Sequence, residues 1–181
     1  MRAVPTALEG VLILEPQVFG DERGWLFESY NRQQFRDATG RVADFVQDIQ
    51  SLSTRGVVRG IHYQLPPRAQ AKIVSVLVGE VLDVIVDLRR SSPDFGRWCS
   101  VHLSAENRRQ VWIPEGFGHA FCVLSDEARM HYKTTDFYSA ADQRTVLWND
   151  PAIGITWPVT EPVLSAKDRN GVPLREAGVF A

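Results

Sequence analysis

The chain has 181 residues, with 20 lysines and arginines against 22 aspartates and glutamates, so its formal charge at neutral pH is −2. That balance excludes a protein that grips nucleic acid through bulk positive charge, and 44% hydrophobic with 23% charged residues excludes a disordered chain. Apolar runs are short and broken by charge, as from Val81 to Leu88, so none can span a bilayer. The N-terminal MRAVPTALEG lacks a secretory core, and two cysteines, Cys99 and Cys122, are too few for a disulfide scaffold. The expectation is a cytoplasmic protein with one domain over residues 1–181, without membrane or nucleic-acid partners.

In chain order, Val11 to Leu14 is apolar and β-branched, and Gly24 to Tyr30 alternates after the turn residues Gly20-Asp21-Glu22-Arg23. Asn31 to Ala38 is the best helix, with Asn31 placed to cap its start and Gly40 to end it. Lys72 to Val78, Gly79-Glu80 and Val81 to Leu88 read as a tight hairpin. Within its second arm, period two separates Leu82, Val84, Val86 and Leu88 from Val81, Asp83, Ile85 and Asp87. Two carboxylates on an otherwise apolar face mean either solvent or a polar cavity. Trp98 to Leu103, Gln110 to Ile113, His119 to Leu124 and Met130 to Tyr138 continue the strand pattern, punctuated by Ser92-Pro93, Pro114-Glu115-Gly116 and Ser125-Asp126. Strands this frequent predict an all-β barrel or sandwich. From Asn149 the chain is rich in proline and glycine, as expected of a segment that wraps the outside or ends in a short helix.

Four histidines are available for chemistry. His102 and His131 sit in ordinary strand patterns and read as structural, whereas His62 and His119 lie among glycine and aromatic residues, in RGIHYQ and EGFGHAF. A lone histidine in such a place is more often a hydrogen-bonded core side chain than a catalyst. A metal site needs three or four converging ligands, and the chain contains neither HxH nor HxxH, so the metal reading is set aside. Acid–base chemistry without metal needs a base near neutrality, an acid nearby and a group to stabilise developing charge. His62 has the intrinsic pKa of such a base, and Tyr132 and Tyr138 share a face by parity. Lys72 opens an apolar strand and is one of only three lysines among the 20 basic residues. Taken singly, each of these also reads as a core tyrosine or a snorkelling lysine. Arg23 and Arg59 each precede a glycine, and their guanidinium forks suit phosphate oxygens, although exposed arginines are common in this chain.

Seven segments together resemble the dTDP-4-dehydrorhamnose 3,5-epimerase family. They are FGDERGWLFESYN (19–31), FVQD (45–48), GVVRGIHYQ (56–64), PRAQAKIVSVLVGEVLDVIVDLRRSSPDFGRW (67–98), LSAENRRQVWIPEGFGHAF (103–121), YKTTDFYS (132–139) and LSAKDRNG (164–171). The resemblance implies a cupin-type β jelly roll that works without cofactor or metal. It also implies a homodimer that exchanges an N-terminal arm, and a dTDP-4-keto-6-deoxyhexose substrate. By position, His62 is similar to the proton-abstracting base, Asp168 to the carboxylate that orients it, Tyr132 to the proton donor and Lys72 to the cation facing the substrate oxygen. Arg23, Glu28, Gln47, Asp48, Arg59, His119, Gln143 and Lys167 fall at substrate-binding positions, and Tyr138 resembles the aromatic residue near thymine. The chemistry fits: C3 and C5 both flank the C4 ketone, so removing either proton gives an enolate that a cation can stabilise.

Two features set conditions on this reading. Arg59 and His62 are an odd number of residues apart, so both can line one cavity only if Gly60 permits a bulge. Ile49 stands where the family usually has Asn, and Gln143 where an acid is common; both departures suit a relative that inverts one centre only. A metal-dependent cupin and a non-catalytic nucleotide-sugar-binding cupin are the readings from other classes.

Overall fold

The computed structural model describes residues 1–181. In chain order its elements are β1 (Arg2–Pro5), β2 (Leu12–Glu15), β3 (Val18–Asp21), β4 (Gly24–Phe27), α1 (Arg32–Thr39), β5 (Gln47–Thr54), β6 (Val58–Gln64), β7 (Lys72–Val78), β8 (Glu80–Asp87), β9 (Trp98–Ser104), β10 (Gln110–Ile113), β11 (Phe117–Val123), β12 (Glu127–Thr134), β13 (Gln143–Thr145) and α2 (Ala166–Arg169). Two antiparallel sheets carry the fold. One has six strands in the order β1-β2-β10-β7-β12-β5, the other five in the order β13-β6-β11-β8-β9, and β3-β4 forms a separate hairpin. Their inner faces pack Val74, Val76, Met130 and Val111 against Val81, Ile85, Phe121 and Leu103, giving the core of a jelly-roll sandwich.

The outer face of each sheet is covered differently. Leu14, Ile73 and Trp112 on the six-stranded sheet pack against Phe35 of α1. That helix forms where Asn31 accepts from the N–H groups of Gln33 and Gln34, and it ends at Gly40 in the left-handed region. Val84, Val86, Leu88, Ile61 and Tyr63 on the five-stranded sheet are covered by the C-terminal segment, including Leu174, Ala177 and Phe180. Single parallel bridges tie that segment down at Val57–Val163, Val146–Val172 and Arg89–Phe180, and the Tyr63 hydroxyl donates to the Gly178 carbonyl at 2.5 Å. The segment is thus a wrap, with one short helix, α2, within it. No helix is long and apolar enough to cross a membrane.

The expected hairpin from Lys72 to Leu88 does not form. β7 lies between β10 and β12 in one sheet and β8 between β11 and β9 in the other, so Gly79 is a corner between sheets. Sequence alternation is identical for a hairpin and a corner, because both put one turn between two strands. The corner is specified by tertiary closeness: a Cβ on Gly79 would lie 2.0 Å from the Glu127 carbonyl oxygen. The expected strand from Met130 to Tyr138 is shifted, since β12 starts at Glu127 and stops at Thr134. β5 was not anticipated, because QDIQSLST is polar and buries only Ser53; it is an edge strand held by β12. The division of β8 into two faces is as expected, with Asp83 and Asp87 fully buried.

The irregularity expected at Gly60 is present. His119 pairs with His62 and Phe121 with Arg59, so three steps along β6 match two along β11. Gly60 has φ 128°, and a Cβ there would meet the Ala120 Cα at 2.6 Å and the His119 carbonyl oxygen at 2.7 Å. Both obstacles are backbone and cannot move aside like a flexible side chain. Gly60→Ala is therefore expected to destabilise the fold by about 3 kcal/mol through strain and overpacking. Thermal denaturation should show a melting temperature roughly 6–12 °C lower; an unchanged value contradicts this account.

Candidate active site

At one end of the sandwich the sheets part around a cavity of about 360 Å³. β6 supplies Arg59, His62 and Gln64, β11 supplies His119 and Phe121, and β13 supplies Gln143. Facing them, β7 supplies Lys72, β12 supplies Tyr132 and Thr134, and β5 supplies Ile49 and Ser51. Lys167 of α2 and Tyr138 of the segment after β12 complete the rim. His62 and Tyr132 thus stand on opposite sheets.

His62 Nε2 lies 2.5 Å from Asp168 Oδ1. Asp168 is buried, at 2% exposure. Its position follows from local sequence, since Ser165 caps α2 by accepting from the Asp168 N–H at 3.1 Å, while the Ser165 hydroxyl donates to Asp168 Oδ2 at 2.7 Å. The Gly60 N–H approaches Oδ1 at 3.4 Å. Burial alone raises a carboxyl pKa, but the bonds from His62, Ser165 and Gly60 outweigh it and keep Asp168 below the ordinary range. For His62, burial is the largest influence and lowers its pKa, against the raising effect of Asp168. A neutral imidazole donating from Nε2 to a carboxylate keeps Nδ1 as an unprotonated base.

A second pair lies deeper: His119 Nε2 is 2.7 Å from Asp83 Oδ1, with both residues buried. Asp83 Oδ2 is buried without a hydrogen-bond partner. Sequence reading did not name Asp83 as a site residue, although its signal was there in a carboxylate set into the inward face of an apolar strand. Lys72 forms no ion pair; burial pushes its ammonium down to about 8, with Asp83 resisting and Lys167 adding to the shift. Burial also raises the Tyr132 phenol well above its ordinary value, so it stays protonated. The ring of Tyr132 meets that of His119 edge-on, with centroids 5.9 Å apart. No group of three His, Cys, Asp or Glu side chains converges in a way that could hold a metal.

Of the residues singled out from sequence, His62, Lys72, Tyr132, Arg59, His119, Tyr138, Gln143 and Lys167 line this cavity, with Asp168 directly behind His62. Four do not line it. Gln47 accepts from the Tyr138 N–H at 3.1 Å and so steadies the rim from outside. Asp48 points to the opposite face of β5, where it accepts from Lys133 at 2.8 Å. Glu28 accepts from Asn31 and Gln34 beside α1. Arg23 sits at the β3-β4 turn, paired with Asp21 and 85% exposed. Ser51, Gln64, Phe121 and Thr134 line the cavity without having been named from sequence. Gln64 also clamps the rim, donating to the Arg68 carbonyl at 2.6 Å and accepting from the Ser139 N–H at 2.8 Å.

The family model for dTDP-4-dehydrorhamnose 3,5-epimerase matches residues 5–176. A dTDP-4-dehydrorhamnose 3,5-epimerase of Shigella flexneri is 57% identical over 180 residues, covering 99% of each chain. A dTDP-4-dehydrorhamnose 3-epimerase of Streptomyces niveus is 41% identical over 177 residues, covering 98% of this chain and 86% of its own. Among solved structures, a dTDP-6-deoxy-D-glucose-3,5-epimerase from Legionella pneumophila in complex with dTDP-4-keto-L-rhamnose has a TM-score of 0.94 at 44% identity. It covers 98% of this chain and 94% of that one.

The cavity's electrostatics make a direct prediction. NMR titration of the free protein should find Lys72 deprotonating near pH 8, well below the ordinary lysine range. Asp83→Asn removes the charge that favours the ammonium, so the midpoint should fall further; a rise contradicts the assignment.

Proposed function

Because the chain belongs to the dTDP-4-dehydrorhamnose 3,5-epimerase family, we propose that it inverts C3 and C5 of dTDP-4-keto-6-deoxy-D-glucose to give dTDP-4-keto-L-rhamnose. The observation that carries this reading is a neutral histidine held by a buried carboxylate, facing a protonated tyrosine across a cavity that also holds an unpaired lysine. His62 takes the proton from C3 or C5, and the C–H electron pair moves into the C4 carbonyl to form an enolate. Lys72 stabilises the charge on that oxygen. Tyr132, on the opposite wall, gives its phenolic proton to the other face of the same carbon, and the ketone re-forms. The phenolate then regains a proton from solvent and His62 releases one. Asp168 stabilises the imidazolium in between, as a carboxylate behind a catalytic histidine does. Arg59 and Lys167, neither engaged in an ion pair, are available to the diphosphate, and Tyr138 to the base.

The active form is proposed to be a homodimer. Phe19, Trp25 and Leu26 on the β3-β4 hairpin are 56%, 58% and 67% exposed, an apolar surface that a second copy would cover. Arg23 and Glu28 flank that surface and lie outside their own chain's cavity, so a second copy would receive them in its cavity. Both cysteines are free and buried, which suits the reducing cytoplasm, where we place the protein.

In deuterated water, label should enter at both C3 and C5 of the proposed substrate; label at one centre only would favour an activity like that of the Streptomyces niveus relative. His62→Ala should slow exchange by about 10²–10⁴, and retained exchange would rule His62 out as the base. The pH profile of kcat/KM should fall on the acid side below the ordinary histidine range, because a lowered pKa keeps His62 neutral to lower pH. It should fall on the alkaline side near pH 8 as Lys72 loses its proton. Co-assembling Arg23→Ala with His62→Ala chains tests the dimer. Half the dimers are mixed with one intact site, so about a quarter of wild-type activity should return if Arg23 acts across the interface; no recovery excludes that.

A further inference from the structure

Ile49 is paired directly with Tyr132 across the β5-β12 ladder, and Tyr132 is paired on its other side with Val74 of β7. The three form one row on the inner face of the six-stranded sheet, and Ile49 is its outermost member, because β5 is the sheet edge. Directly paired side chains on one face of an antiparallel ladder stand about 4.5–5.5 Å apart at Cβ, so Ile49 and Val74 bracket the tyrosine ring. His119 closes the third side from the opposite sheet, edge-on at 5.9 Å. Val74 is fully buried, whereas Ile49 is 38% exposed at the cavity wall. Ile49 is therefore the barrier between the proton donor and the open sheet edge. A β-branched side chain has a stiff χ1 and suits that task. Ser51, next on the same face of β5, brings its hydroxyl toward the Tyr132 phenol, so the apolar side chain of Ile49 stands between that polar contact and the open edge of the sheet.

We infer that Ile49 is a positioning residue that holds the Tyr132 phenol toward the cavity, and so decides what fraction of enolates is inverted rather than returned to the starting face. The inference rests on the epimerase reading above. The enolate has two outcomes. The His62 imidazolium can hand back a proton to the face it came from, which in deuterated water yields exchange with retention. Alternatively Tyr132 delivers a proton to the other face, which yields inversion. Exchange without inversion needs only His62 and Lys72, and neither is on β5. Inversion needs the donor within proton-transfer reach, and a displacement of about 1 Å can cost on the order of 10²-fold. A side-chain wall at position 49 therefore acts on one branch and not on the other.

The test measures deuterium exchange and stereochemical inversion together, on the whole protein with dTDP-4-keto-6-deoxy-D-glucose in deuterated water. Ile49→Ala, which removes the wall, should keep exchange within about threefold of wild type while inversion falls at least about tenfold. Ile49→Val, which retains the β-branch, should keep both. The surviving exchange itself reports that the variants are folded with His62 in place. Exchange and inversion falling in parallel, or an unchanged ratio between them, would overturn the inference. A wild-type protein that exchanges neither carbon would instead overturn the epimerase reading on which it stands.

Discussion

The close approach of β6 to β11 at Gly60 is the constraint on which the site depends. Without a Cβ, Gly60 lets the two backbones meet where any side chain would strike Ala120 or the His119 carbonyl. The bulge it permits resets the alternation of β6, so that Arg59 and His62 reach one cavity despite an odd separation. Its N–H also approaches the Asp168 carboxylate that grips His62. A single residue thereby joins the phase of a strand to the orientation of the His62 imidazole. A regular strand would present either the arginine or the histidine to the cavity, not both.

Around that point the charges are distributed by a simple rule. The two buried carboxylates beside the cavity are committed to its histidines, Asp168 to His62 and Asp83 to His119, which leaves the cavity's cations without carboxylate partners. Desolvation then acts on each exposed end in the direction that prepares it for acid–base work. It keeps the imidazole neutral and the phenol protonated, and it makes the ammonium of Lys72 more ready to interact with an oxyanion than a solvated lysine is. Burial of unpaired cations disfavours folding, and the well-filled layers on both sides, from Phe35 to Phe180, supply the apolar burial that offsets it.

How much of this was legible in the chain depends on whether the signal was local. The helix could be read from Asn31 and Gly40 because capping is settled within one turn. The two faces of β8 could be read because the pleat has period two. The corner at Gly79 could not, since a turn between two alternating segments looks the same whether the next strand pairs with the last or crosses to another sheet. β5 was missed for a related reason: an edge strand with one buried residue carries little apolar pattern, and its pairing with β12 is what makes it a strand.

The site divides along the same line. Sequence by itself determined which residue types the proposed chemistry would draw on, a histidine and a tyrosine in recognisable segments with a scarce lysine nearby, and the need for a bulge at Gly60, because those are matters of residue chemistry and strand parity. Only the tertiary structure decided that Asp83 is committed to His119, that Gln47 serves the rim from outside, that Asp48 faces away, and that Arg23 and Glu28 stand apart from their own cavity. Each of those outcomes depends on which strand lies beside which, and that is set by packing two sheets around one core, a property no short stretch of the chain contains.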